Sequence, residues 1–165
     1  MKYNIYLIGF MGAGKTTIGK HLAKDLQMPF VDLDEWIEAK NNKRITDIFH
    51  EDGESTFRKL ESASLHALDN LGGVIATGGG VVENDANIEF MKNNGTLIYL
   101  KSPFNELLER ISGDETRPLT KGGQHKLLKR YEKREPMYEK ADLHVYTFES
   151  TPTDVCRKIM KMLRV

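Results

Sequence analysis

Five short apolar runs punctuate the chain: Asn4–Ile8, Phe30–Leu33, Val74–Thr77, Thr96–Leu100 and Leu143–Thr147. Each is nearly continuous rather than alternating, the pattern of a strand covered on both faces. Between them, positions recur at helical spacing. Ile18, Leu22 and Leu26 form one stripe, Phe57, Leu60, Ser64 and Leu68 a second, and Val155, Ile159, Met162 and Leu163 a third. No two-residue hairpin signal joins the strands, so crossover connections and a parallel sheet follow. The pattern predicts an α/β fold of three layers, a five-stranded parallel sheet with helices on both faces. One stretch, Gly113–Gln124, breaks the rhythm with three glycines, a proline and almost nothing to bury. It reads either as a solvated loop or as a mobile lid, anchored by helices over roughly Asn105–Ser112 and His125–Lys140.

The length of 165 residues fits a single domain, 1–165. Twenty-four basic residues balance 24 acidic ones. That balance speaks against nucleic-acid binding or a polybasic membrane module, which need a surplus of Lys and Arg. The apolar stretch Ile5–Met11, broken at Gly9, is too short for a signal-peptide core or a membrane span. One cysteine, Cys156, cannot form an internal disulfide. A cytoplasmic, monomeric protein is expected. The five histidines show no metal-ligand spacing.

The chemistry starts at Gly9-Phe10-Met11-Gly12-Ala13-Gly14-Lys15-Thr16, a complete G-x-x-x-x-G-K-[ST] match between a strand and a helix that begins near Lys15. Glycines there let backbone N–H groups wrap a phosphate, and the helix N-terminus adds partial positive charge. Lys15 would reach the β and γ phosphates, and the Thr16 hydroxyl would ligate Mg²⁺. The guanine-reading Asn-Lys-x-Asp of a GTPase is missing: Asn42-Lys43-Arg44 ends in Ile45. Asp69–Gly72 precedes a strand and reads as a helix end. A small-molecule kinase or a nucleotide-binding module without chemistry remains.

Asp32-Leu33-Asp34 lies at the end of the second strand, where open α/β sheets bind ligands. Two-residue spacing on a strand points both carboxylates into one crevice. One would hold or orient Mg²⁺, and the other would accept from an acceptor hydroxyl. Asp34 reads alternatively as a helix cap. Gly78-Gly79-Gly80 follows the third strand as a close-approach site or a tight turn. Arg58, with Glu54 and Glu61 at helical spacing, is either a surface ion-pair ladder or an anion fork. Arg117 and Arg134 offer the same anion chemistry. Trp36 reads as core or as pocket wall.

Taken together, GFMGAGKTTIGKHLA, DLDEWIE, ITDIFHEDGESTFRKLE, VIATGGGVV, Arg117-Pro118-Leu119 and YEKREPMYEKAD run in the order of the shikimate kinase family, which the chain resembles along nearly its whole length. The resemblance implies a P-loop kinase fold with a mobile lid about 113–124 and a substrate-binding subregion about 34–61. It implies transfer of the γ-phosphoryl group of ATP to the shikimate 3-hydroxyl, with one Mg²⁺. Gly12, Ala13, Gly14, Lys15, Thr16 and Thr17 would bind ATP phosphates. Arg110 and Pro152 would border the adenine, and Thr16 and Asp32 would position the metal. Asp34 would be the base, and Arg58, Arg134, Gly79 and Gly80 would hold the shikimate carboxylate. Arg117 would contact both substrates from the lid. Thr120 stands where the family often has Leu. The alternative is another small P-loop kinase, acting on gluconate or a nucleoside monophosphate.

Overall fold

The central strand β1 (Asn4–Ile8) is buried at every position, so neither face of the sheet at its middle touches water. In the computed structural model, which describes residues 3–112 and 123–165, four more parallel strands flank it: β2 (Phe30–Asp32), β3 (Val74–Ala76), β4 (Gly95–Lys101) and β5 (Leu143–Tyr146). Their order is β2-β3-β1-β4-β5. The continuous apolar runs thus fold as expected, into strands sandwiched between helices.

The helices are α1 (Lys15–Leu26), α2 (Leu33–Asn41), α3 (Ile45–Asp52), α4 (Glu54–Ala67), α5 (Asp85–Asn94), α6 (Phe104–Ser112), α7 (Gly123–Tyr138) and α8 (Pro152–Leu163). A single 3₁₀ turn spans Val81–Glu83. The two helices around the Gly113–Gln124 stretch lie within a residue or two of their expected ends. Gly123 and Gln124 belong to α7; Gly113–Gly122, with Arg117, lies outside the described residues. Five strand ends differ from the sequence reading by one residue: β4 is longer at both ends, starting at Gly95 and ending at Lys101, and three strands stop early. Leu33 opens α2, and Thr77 and Thr147 fall just beyond β3 and β5. The α5 helix carries no clear apolar stripe in sequence and emerges only in the structure, where Ile88 and Met91 are buried.

Register positions the site. Asp32 of β2 pairs with Ala76 of β3, and Ala76 pairs with Leu7 of β1. The ends of three strands therefore stand level, and the segments leaving them share one edge of the sheet. From β1 the chain turns toward β3 and β2, and later crosses to β4 on the other side. The end of β1 thus lies where an open α/β sheet forms its ligand crevice. Thr77 Oγ1 donates to Leu7 O at 2.8 Å, locking the ends of β3 and β1 together. Phe10, fully buried, packs edge-on against Tyr131 of α7, tying the loop after β1 to that helix.

Trp36 is half-buried against the core, with the Lys40 ammonium 4.6 Å from its ring. Cys156 is fully buried, and burial pushes its thiol pKa up to about 11. No helix among the described residues is long and apolar enough to cross a membrane.

Candidate active site

The loop after β1 bends around a cavity because three of its glycines, Gly9 at φ 154° among them, take backbone conformations that residues with side chains rarely adopt. Gly12 has φ 83° and Gly14 φ 90°, and Gly14 caps α1. Lys15 opens the helix and its ammonium donates to the carbonyl of Gly9. The next residue, Thr16, donates its hydroxyl to Asp32 Oδ2 at 2.7 Å. A cavity of about 690 Å³ follows this loop and is lined also by Asp32, Asp34, Gly78, Gly79 and Arg134.

The two aspartates do share the cavity, but not through strand parity. The strand stops at Asp32, whose other oxygen accepts from Glu35 N at 3.1 Å and caps α2. Asp34 sits in the first turn of that helix, so the capping role belongs to Asp32 instead. Helix geometry, not the pleat, turns Asp34 inward. Its Oδ1 is buried with no partner among the described residues. Burial, reinforced by the neighbouring Asp32 charge, raises its pKa above the usual carboxylate range; Lys15 and Arg58 pull the other way.

The three glycines after β3 are explained by space rather than by conformation. None has a positive φ. A Cβ on Gly78 would lie 3.0 Å from Asp34 Oδ1 and 3.2 Å from Glu61 Oε2. One on Gly79 would lie 3.2 Å from Arg134 Nη1. One on Gly80 would overlap Arg58, at 2.6 Å from Nη1 and 2.7 Å from Cζ. Each glycine leaves room for charged side chains, Asp34 and Glu61 at Gly78, Arg134 at Gly79 and Arg58 at Gly80. Gly80→Ala should therefore leave the fold intact, because a guanidinium at the end of a flexible chain gives way. It should displace Arg58 and raise the KM for the acceptor about tenfold or more, the scale of one disturbed charge-assisted hydrogen bond. Steady-state kinetics beside a melting curve check this; an unchanged KM would refute the close approach as functional.

The Arg58 ladder is not a surface feature. Phe57, Glu61 and Leu65 form the buried stripe of α4, so Glu61 is a fully buried acid in an apolar row. Arg58 Nη1 donates to Glu61 Oε1 at 2.9 Å, while Glu54 is 3.5 Å away and exposed. Burial raises the pKa of Glu61, against the pull of Arg58. Arg134, 7% exposed, donates from Nε and Nη2 to Glu83 Oε2 at 3.2 and 2.9 Å. Arg58 lines not the main cavity but an adjoining one of about 360 Å³, and Arg134 lines both. Arg110 donates to the Gly12 carbonyl at 3.0 Å. With Pro152 and Thr17 it borders a third cavity behind the phosphate loop, of about 280 Å³.

Glu61 is legible in retrospect as a charge on an apolar stripe. Glu83 and Tyr138 carry no such signal. Tyr138 donates to the Gly79 carbonyl at 2.6 Å, and both residues reach the site only because α7 packs on the turn after β3.

A parallel sheet in this order, a phosphate-binding loop after β1, and an acidic pair sharing one cavity with Arg134, next to a second cavity lined by Arg58, define a P-loop kinase of small molecules. A gluconokinase from Sinorhizobium meliloti shares that fold at a TM-score of 0.64 and 14% identity, over 99% of this chain and 92% of its own. The shikimate kinase family profile matches residues 11–164. The chain belongs to the shikimate kinase family. A shikimate kinase from Persephonella marina is 42% identical over 98% of this chain and 99% of its own. The shikimate kinase from Acinetobacter baumannii in complex with shikimate superposes with a TM-score of 0.91, at 38% identity, over 98% of this chain and 93% of that one.

Proposed function

We propose that the chain transfers the γ-phosphoryl group of ATP to the 3-hydroxyl of shikimate, releasing ADP and shikimate 3-phosphate. The observation that carries this reading is the convergence of Arg58 and Arg134 on the Gly79–Gly80 turn, at the edge of the cavity that Lys15, Asp34 and Arg134 line together. Two guanidinium groups converging on one glycine turn suit a planar carboxylate. The shikimate held by the Acinetobacter baumannii relative supports the same acceptor. Gluconate and nucleoside monophosphate acceptors are the competing reading; likeness to the gluconokinase extends only to the fold.

Thr16 and Asp32 present a hydroxyl and a carboxylate 2.7 Å apart beside the phosphate loop. Hard oxygen donors of this kind fit Mg²⁺, and these two residues would hold it. Bound with ATP, Mg²⁺ supplies charge neutralisation at the phosphate oxygens. The loop amides and Lys15 bind the β and γ phosphates. Arg110 and Pro152 border the adenine. Arg58 and Arg134 hold the acceptor carboxylate at one end, which turns the hydroxyl toward Asp34. Asp34 accepts the hydroxyl proton as the oxygen bonds to phosphorus and the bond to ADP breaks. Arg117 is assigned to the transferring phosphoryl group from the sequence resemblance alone. Positioning and charge carry the rate more than covalent chemistry does.

One domain is proposed on the length of 165 residues, a cytoplasmic setting on the one cysteine, and the protein is taken to work as a monomer. The deciding experiment is ADP release from MgATP with and without shikimate, with gluconate and nucleoside monophosphates as control acceptors. Release that depends on shikimate alone is expected. Equal or greater release with gluconate or a nucleotide would overturn the reading.

A further inference from the structure

We propose that Glu83 is a positioning residue for the substrate carboxylate, fixing the plane of the Arg134 guanidinium from behind so that its remaining edge faces the Gly79–Gly80 turn. The inference rests on the shikimate reading above and adds to it a residue that lies outside the recognised motifs.

Glu83 ends the 3₁₀ turn that follows the three glycines. That turn is rigidly seated. Val81 and Val82 are fully buried, and Glu83 N donates to the Gly80 carbonyl at 3.1 Å. From this fixed base the carboxylate reaches α7. Its Oε2 accepts from both Nε and Nη2 of Arg134, and its Oε1 accepts from Lys133 Nζ at 2.9 Å. The same Oε2 stands 3.9 Å from Arg58 Nη2. One carboxylate thus connects both arginines assigned to the anion.

The geometry separates two roles for such a group. A carboxylate between two arginines is either a scaffold or a stand-in that the substrate must displace. Glu83 takes the Nε/Nη2 edge of the Arg134 fork, whereas Nη1 is the atom nearest Gly79. The two edges serve different partners, so substrate and Glu83 need not compete. Arg134 is also nearly buried, and its fork holds one orientation only while its inner nitrogens are satisfied. Burial opposes ionisation of Glu83, but the hydrogen bonds from Lys133 and Arg134 outweigh it and hold its carboxyl below the usual range. It is therefore charged at neutral pH.

Reach and charge can be tested separately. Glu83→Gln keeps the length and one acceptor oxygen; Glu83→Asp keeps the charge but withdraws it by one methylene. For a positioning residue, Glu83→Asp should raise the KM for shikimate about tenfold and Glu83→Gln by less, with kcat and the KM for ATP within about threefold of wild type. The same variants should be assayed on the shikimate analogue whose carboxylate is a neutral amide. Their defect should largely vanish there, because the fork they misalign then has no anion to hold. A fall in KM for shikimate on removing the charge would overturn the inference in favour of a displaced stand-in. An equal loss on acid and amide would overturn it in favour of a purely structural role. Wild-type turnover with shikimate, measured alongside, separates these results from failure of the substrate assignment. Melting curves of the near-isosteric Gln variant confirm that folded protein is compared.

Discussion

Asp34→Asn is expected to cut turnover at least about a hundredfold, the scale of a lost general acid–base contribution, while MgATP still binds. Asn keeps the shape of the side chain and its place in the first turn of α2, so geometry is preserved and only proton acceptance is lost. The raised pKa of Asp34 gives the prediction a pH signature. In wild type, kcat/KM should rise with pH as the carboxyl ionises, with an acidic limb displaced upward from the ordinary aspartate range. That limb should be missing in the residual activity of the variant. Stability should move the other way. A carboxyl whose folded pKa is raised contributes stability that is complete below its unfolded pKa and lost as pH rises through the folded one. At neutral pH the buried charge therefore costs stability, and Asp34→Asn should melt no lower than wild type there. Its advantage should disappear at pH values below the ordinary aspartate pKa. Turnover within about threefold of wild type would mean that Asp34 only orients the hydroxyl or supports α2.

The second large effect is expected at Arg58. Removing one arm of a buried carboxylate clamp costs about 2–5 kcal/mol of binding, so Arg58→Ala should raise the KM for shikimate at least about thirtyfold. The KM for ATP should stay within about twofold. The same change strands Glu61, which is 0% exposed and takes its only described hydrogen bond from Arg58. An unpaired buried acid costs stability, on the order of 1–3 kcal/mol. The double variant Arg58→Ala/Glu61→Gln should recover much of that stability without recovering affinity. Such a split separates the clamp from the scaffold. Equal rises in both KM values would remove Arg58 from the acceptor site.

How the clamp is held explains why part of the site was hidden. Lys15, Thr16 and the loop glycines are neighbours in the chain, and their function follows from local conformation. The two-residue spacing of Asp32 and Asp34 encodes their proximity but not the geometry that brings them together. A helix begins between them, so the pleat never applies to Asp34. The three glycines allowed two readings until the side chains opposite them were in place. With Asp34 and Glu61 opposite Gly78, Arg134 opposite Gly79 and Arg58 opposite Gly80, the glycines clear room for charged groups.

By itself, the sequence determined the layers, the parallel sheet and the phosphate loop. These depend on periodicity within one segment and on glycine conformations that the chain carries with it. The tertiary structure alone decided that Glu61 lies buried beneath Arg58 and that Glu83 reaches Arg134 across 51 residues. Such pairings arise from how α4, α7 and the turn after β3 stack on one sheet edge. No local pattern encodes the distance between segments that meet only when the core closes.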